Sequence, residues 1–170
     1  MNGLTVTLWG FLAAATITDV RRQTIPNTIT YTGMIVALAL RGLILGWPGL
    51  EDGLVGWAAC GAIMLVCYVL LGIGGGDVKL IAMMGAFLGL YPGFESLLWT
   101  LVLGGILGVC VLIWQIGAGQ LIMGTARHLR LIWRAKGWVP LQSSDRTVLQ
   151  QPLFLAPAAL LAALIVGWGQ

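Results

Sequence analysis

Charge is what this chain has least of. Only 9% of its 170 residues are Asp, Glu, Lys or Arg, while 59% are hydrophobic. An ordinary soluble domain carries about 25% charged residues. The shortage excludes such a domain, because one core could not hide so much apolar surface. Histidine is nearly missing too. The one histidine, His128, sits in a basic stretch, so neither a histidine triad nor a multi-histidine metal site is available. The three cysteines, Cys60, Cys67 and Cys110, form no CxxC pair, which argues against a zinc-ribbon module. Cys60 and Cys67 share a helix face but are too distant for a mutual disulfide. All three are read as small apolar packing residues. A Walker A lysine loop is absent, and Gly74-Gly75-Gly76 lacks the strand and helix context of a dinucleotide fold. No metal or cofactor is expected, and the net charge of +3 calls for no nucleic acid.

What the chain does have is long uncharged runs, at 1–18, 23–40, 53–76, 80–94, 96–126 and 147–170. A helix needs about 20 apolar residues to span a bilayer. Lipid cannot satisfy an open backbone, and the alternation of a lipid-facing β-barrel strand is missing. The runs predict an all-α polytopic membrane protein with six transmembrane helices, near 3–20, 27–46, 53–73, 78–92, 96–118 and 151–168. The short fourth span must start below the surface, tilt, or thin the bilayer. Ala13-Ala14-Ala15 imitates a signal-peptide cleavage site, yet Arg21 and Arg22 follow the apolar stretch, whereas a signal peptide has its charges before it.

One membrane-embedded domain over 1–170 is expected, with a cytoplasmic basic loop at about 119–150. Within that loop, Leu121–Trp138 mixes Leu129, Leu131, Ile132 and Trp133 with Arg127, Arg130, Arg134 and Lys136. That mixture suits an amphipathic helix along the membrane surface, with His128 as an interfacial residue. Gly85 and Gly89, and Gly104 and Gly108, have helix-packing spacing.

Basic residues prefer cytoplasmic loops. With six spans and both termini outside, one side receives Arg21, Arg22, Lys79, Arg127, Arg130, Arg134, Lys136 and Arg146, and the other only Arg41. This predicts Asp19 and Asp77 at the cytoplasmic side, and Glu51, Asp52 and Glu95 outside.

Acids at the edge of a membrane span are expensive and are functional candidates by default. Asp19 ends the first span, in Thr18-Asp19-Val20-Arg21-Arg22-Gln23-Thr24-Ile25-Pro26-Asn27; Asp77 follows the third, in Gly72-Ile73-Gly74-Gly75-Gly76-Asp77-Val78-Lys79-Leu80. The glycines allow positive φ and close backbone approach. They suit either a tight corner holding a working Asp77 or an ordinary turn whose aspartate caps the next helix. Pro26 suits a first helical turn, and Asn27 can pin it. Arg21 and Arg22 serve as topology anchors. Lys79 snorkels to the surface or binds an acidic group.

Hydrolysing a peptide needs a base to activate water and an acid for the carbonyl oxygen or leaving amine. Two carboxyls sharing one proton provide both. From the residues alone, either aspartate can be the one that holds it. Intramembrane acids also serve ion relays in transporters, and both aspartates could be caps in a non-enzymatic secretion-system subunit. Against a relay, no acid lies mid-span.

Gly74-Gly75-Gly76-Asp77 resembles the GxGD signature of type IV prepilin leader peptidases. Asp19 followed by Arg21 or Arg22 and Ile25-Pro26-Asn27 resembles that family's first-aspartate motif. Gln151-Pro152-Leu153-Phe154-Leu155-Ala156-Pro157-Ala158 resembles its last-helix region. The resemblance implies an aspartyl endopeptidase of the bacterial inner membrane, cutting basic leaders from prepilins or pseudopilins at the cytoplasmic face. Asp19 and Asp77 carry over as the catalytic pair, and Gly74 and Gly76 as its support. Lys79 or Arg22 would meet an acidic residue past the cut. Larger relatives that also methylate carry a further region with paired cysteines. Its absence implies the short form of Tad/Flp-type pilus peptidases, without methylation. The Tyr-Asp partner motif of presenilin-like proteases is not found.

Overall fold

The structure is a computed structural model describing residues 3–22, 24–116 and 155–168. Every regular element among these residues is helical: α1 (Gly3–Arg22), α2 (Asn27–Leu71), α3 (Gly75–Leu88), α4 (Leu90–Ile116) and α5 (Leu155–Trp168). Three of them, α1, α2 and α4, contain stretches long and apolar enough to cross a membrane. Large apolar side chains such as Ile35, Leu43, Val69 and Leu70 point outward with 68–83% of their surface exposed. Such a surface suits a hydrocarbon solvent, since soluble monomers rarely expose large contiguous apolar patches. The basic loop at 119–150, its interfacial helix and His128 lie outside the described residues.

The 45-residue α2 is not one straight rod. Gly46 breaks it at φ 69° and ψ −160°, backbone angles open essentially to glycine alone. The chain folds back there. A groove of about 420 Å³ is lined by Tyr31 and Met34 from the first half and by Trp57, Ala58, Gly61 and Leu65 from the second. Pro48 falls in the opening turn of the second half, where a missing N–H costs nothing. Residues 47–52, expected as a loop, are therefore helical, and the connection shrinks to the neighbourhood of one glycine. A similar shift occurs downstream. The break expected near Glu95 lies instead at Gly89, with φ 86°, and Pro92 sits in the first turn of α4. Charge marked the water-facing neighbourhood of these turns, but glycine conformation decided where the helices stop.

Second-half α2 and α3 touch backbone to backbone. A side chain on Gly56 would collide with Gly85 and Gly89, and one on Gly85 with Gly56. α3 spans 14 residues, about 21 Å at 1.5 Å per residue, less than the roughly 30 Å hydrocarbon core of a bilayer. Its face of Leu80, Ile81, Met83, Met84 and Phe87 is buried in the core with Leu8, Leu12 and Ala15 of α1. The rings of Phe11 and Phe87 meet at 6.0 Å between centroids.

α5 lies against α1. Its buried face is Ala156, Ala159 and Ala163, small enough for close helix approach. Trp9 Nε1 donates to Ala163 O at 3.4 Å. Gly104 of α4 faces Leu155 and Ala158 at 3.6–3.8 Å from an ideal Cβ, in line with its packing spacing. Cys60 is buried as a packing residue, but Cys110 is exposed. The packing role expected for Cys110 is not met by an exposed side chain.

The described chain falls into two units. One is Met1–Gly105 with Leu153–Gln170; the other is Ile106–Pro152, of which the end of α4 is the described part.

Candidate active site

Leu8, Leu12, Ala15 and Asp19 are the buried residues of α1. Their spacing of four, three and four puts them on one helix face. The apolar stripe that docks α1 thus ends in a carboxylate, and packing alone carries Asp19 inward to 7% exposure. The backbone N–H of Ala156, in the first turn of α5, reaches its carboxyl. Its Oδ2 is buried without a hydrogen-bond partner among the described residues. An unpaired buried carboxyl oxygen is costly.

Asp77 is 8% exposed and occupies the third position of α3, after the N-cap Gly74. Its own N–H donates to Gly74 O at 3.1 Å. Its carboxyl turns back to the backbone N–H of Gly74, the half of a capping box that the third helical residue supplies. This geometry fits the cap reading of the glycine turn and leaves the carboxyl beside the glycines, as the working-carboxylate reading requires. The carboxyls of Asp19 and Asp77 are close enough for the charge of Asp19 to act on Asp77.

The glycines have separate duties. Gly72 is the left-handed residue, at φ 69°, and caps the end of α2 by donating to Tyr68 O at 3.0 Å. Gly74 is extended, with φ −62° and ψ 139°. What it needs is room, since an added Cβ would stand 2.9 Å from Asp77 Oδ2. Gly76 admits Ile25, whose Cβ would lie 3.3 Å from a Cβ at 76. Around Gly75 the nearest atom is Tyr68 Cε2 at 3.9 Å, so the variable position of the motif is the one with space.

Pro26 is the N-cap of α2, in extended conformation, one residue before the helical turn expected for it. Asn27 pins the segment by side-chain contact with α3: Lys79 Nζ donates to Asn27 Oδ1 at 2.8 Å and lies 5.3 Å from the Tyr31 ring centroid. Lys79 thus has a partner within the protein, which uses one of the three donors of its ammonium. Arg21 and Arg22 are exposed in the last turn of α1, a favourable place for cations. Sequence reasoning missed two contributors. The Ala156 amide was signalled only by the last-helix motif, and Ile25 only by its place beside Pro26.

Two buried carboxyls within electrostatic reach of each other are the kind of pair that can serve as acid and base.

The sequence matches the Type IV leader peptidase family over residues 6–109, which takes in both aspartates and the glycine turn. It is also 30% identical over 149 residues to the prepilin leader peptidase/N-methyltransferase of Pseudomonas putida, covering 81% of this chain and 48% of that protein. The chain thus spans about half the length of the curated relative it matches. No solved structure matches.

Proposed function

The chain belongs to the Type IV leader peptidase family, and from that premise we propose that it is a membrane aspartyl endopeptidase removing basic leaders from prepilins or pseudopilins. The observation that carries this reading is the pair of buried carboxyls, Asp19 on α1 and Asp77 on α3, within electrostatic reach of each other.

Asp19 and Asp77 are the catalytic pair in this reading. Water between them loses a proton to the ionised member and attacks the scissile carbonyl. The protonated member supplies the proton that the carbonyl oxygen or leaving amine requires. Gly74 and Gly76 keep the turn narrow, and Ile25-Pro26-Asn27 closes the cytoplasmic edge over it. Arg22, exposed at the end of α1, is free to meet an acidic residue past the cut. Lys79 can do so too, since its ammonium keeps two further donors beside the bond to Asn27.

The reading extends to six spans, counting the halves of α2 separately, in one peptidase domain over 1–170. Both termini are periplasmic, the aspartates face the cytoplasm, and the site is the inner membrane, from the eight-to-one distribution of basic residues. Small Flp-like pilins or pseudopilins are the proposed substrates.

Co-expression with such a precursor tests this. The wild type should shift the precursor to its shorter form on a gel, and Asp77→Asn should leave it uncut while still accumulating in the membrane. Normal cleavage by Asp77→Asn would sink the assignment.

A further inference from the structure

At the opposite end of α3 from Asp77 lies a buried cation that the chemistry above does not use. Arg41, in the first half of α2, is 6% exposed. Its Nε donates to Gly49 O at 2.8 Å and its Nη1 to Phe87 O at 2.9 Å. Its Nη2 pairs with the Asp52 carboxylate, whose other oxygen accepts the Leu90 N–H at 3.1 Å. Three backbone groups, one from each of three helices, therefore converge on one guanidinium and its partner acid.

The arrangement answers the break at Gly89. When a helix stops, its last carbonyls lose their partners, and the next helix begins with unpaired N–H groups. Arg41 takes the Phe87 carbonyl at the negative end of α3, and Asp52 takes the Leu90 N–H at the positive end of α4. Each charge sits at the helix end whose dipole it complements.

Near Asp77 the α2–α3 contact is tied by the Lys79–Asn27 hydrogen bond; towards Phe87, glycine surfaces meet and the directional bonds are those of Arg41. Gly56, Gly85 and Gly89 set how near the backbones lie, but bare backbone surfaces resist sliding poorly. Directional hydrogen bonds fix position along the axis. Asp77 stands ten residues from Phe87 on the same short helix, about 15 Å away, so a shift at one end is carried to the other. We infer that Arg41, oriented by Asp52, is a positioning residue for the proposed reaction: it fixes the axial register of α3 so that Asp77 meets Asp19. The inference rests on the peptidase reading. Lysine cannot replace the arginine, because the planar fork reaches three acceptors at once.

The test uses the full chain, reconstituted in lipid, with a synthetic prepilin precursor. Arg41→Lys and Asp52→Asn are compared with the wild type per folded molecule. Misplaced reacting groups lower kcat by about 10-fold or more, with KM expected to stay within about twofold. The pH profile of kcat should also narrow, because carboxyls moved apart interact less and their joint pKa values draw together. The groups beside the pair, Arg21, Arg22 and Lys79, are unchanged in both variants. A purely structural role would reduce the folded fraction and leave the profile shape alone. Asp52→Asn keeps an oxygen for the Leu90 N–H, so it tests the role even if Arg41→Lys does not fold. Unchanged kcat in the folded variants, or a lower kcat with an unaltered profile, overturns the positioning role. A wild type that cuts nothing, or an Asp77→Asn variant that cuts normally, overturns the peptidase reading itself and the positioning role with it.

Discussion

At the residue scale, the site turns on how closely Gly74 lets a carboxylate approach. Gly74→Ala places a methyl 2.9 Å from Asp77 Oδ2 and displaces the carboxyl from the Gly74 N–H. Misplacement by an ångström at a reacting centre can cost about 100-fold in rate. A gel assay of precursor processing should show a loss approaching that size. Gly75→Ala, with its nearest neighbour at 3.9 Å, should cleave as the wild type does. Equal activity in the two variants would refute the close-approach role. The conformational demand falls elsewhere, on Gly72, Gly46 and Gly89, which hold positive φ. Lys79 shows why a side chain's partner is hard to read from its type: its bond to Asn27 joins residues 52 apart in the chain.

At the element scale, α2 and α3 form the closest helix contact, because three glycines let their backbones touch. Gly56→Leu should be strongly destabilising: overpacking typically costs about 1–3 kcal/mol, occasionally more, and here the obstacle is a backbone instead of a movable side chain. Thermal unfolding in detergent should register a large fall in melting temperature, and an unchanged melt would contradict the backbone contact. The hairpin in α2 depends on Gly46. A residue forced into that backbone region costs about 1–3 kcal/mol, so Gly46→Val should lower stability by that order in the same melt. α1 is held differently, by a side-chain stripe of Leu8, Leu12 and Ala15. The two aspartates thus belong to helices docked by different means, one by glycine contact and one by apolar side chains.

At the scale of the whole molecule, function requires α1, α3 and α5 to present one site. Two interacting carboxyls titrate as a pair, and a bell-shaped pH profile of kcat/KM should report their joint values. A profile with a single limb throughout the pH range in which the protein stays folded would argue against a shared proton. Orientation is testable by labelling single cysteines. With Cys60, Cys67 and Cys110 replaced, a cysteine at Arg22 should react with an impermeant reagent only from the cytoplasmic side, and one at Glu51 only from the other. Reaction of both from the same side would overturn the proposed topology.

Much of this was legible along the chain. Scarcity of charge dictates a helical membrane protein, because lipid leaves the backbone no other partner than itself. The isolated acids at the ends of apolar runs identify Asp19 and Asp77 as candidates, because charge there is too costly to be casual. The position of the turns was less legible: Glu51, Asp52 and Glu95 suggested loops where Gly46 and Gly89 make the breaks, since charge reports nearness to water and not backbone angles. Whether the aspartates meet, that Ala156 attends Asp19, that Lys79 is taken by Asn27, and that Arg41 spans the α3–α4 break were decided by tertiary structure. Each depends on residues distant in sequence. Helix periodicity determines which face a residue occupies, while packing alone determines what stands opposite it.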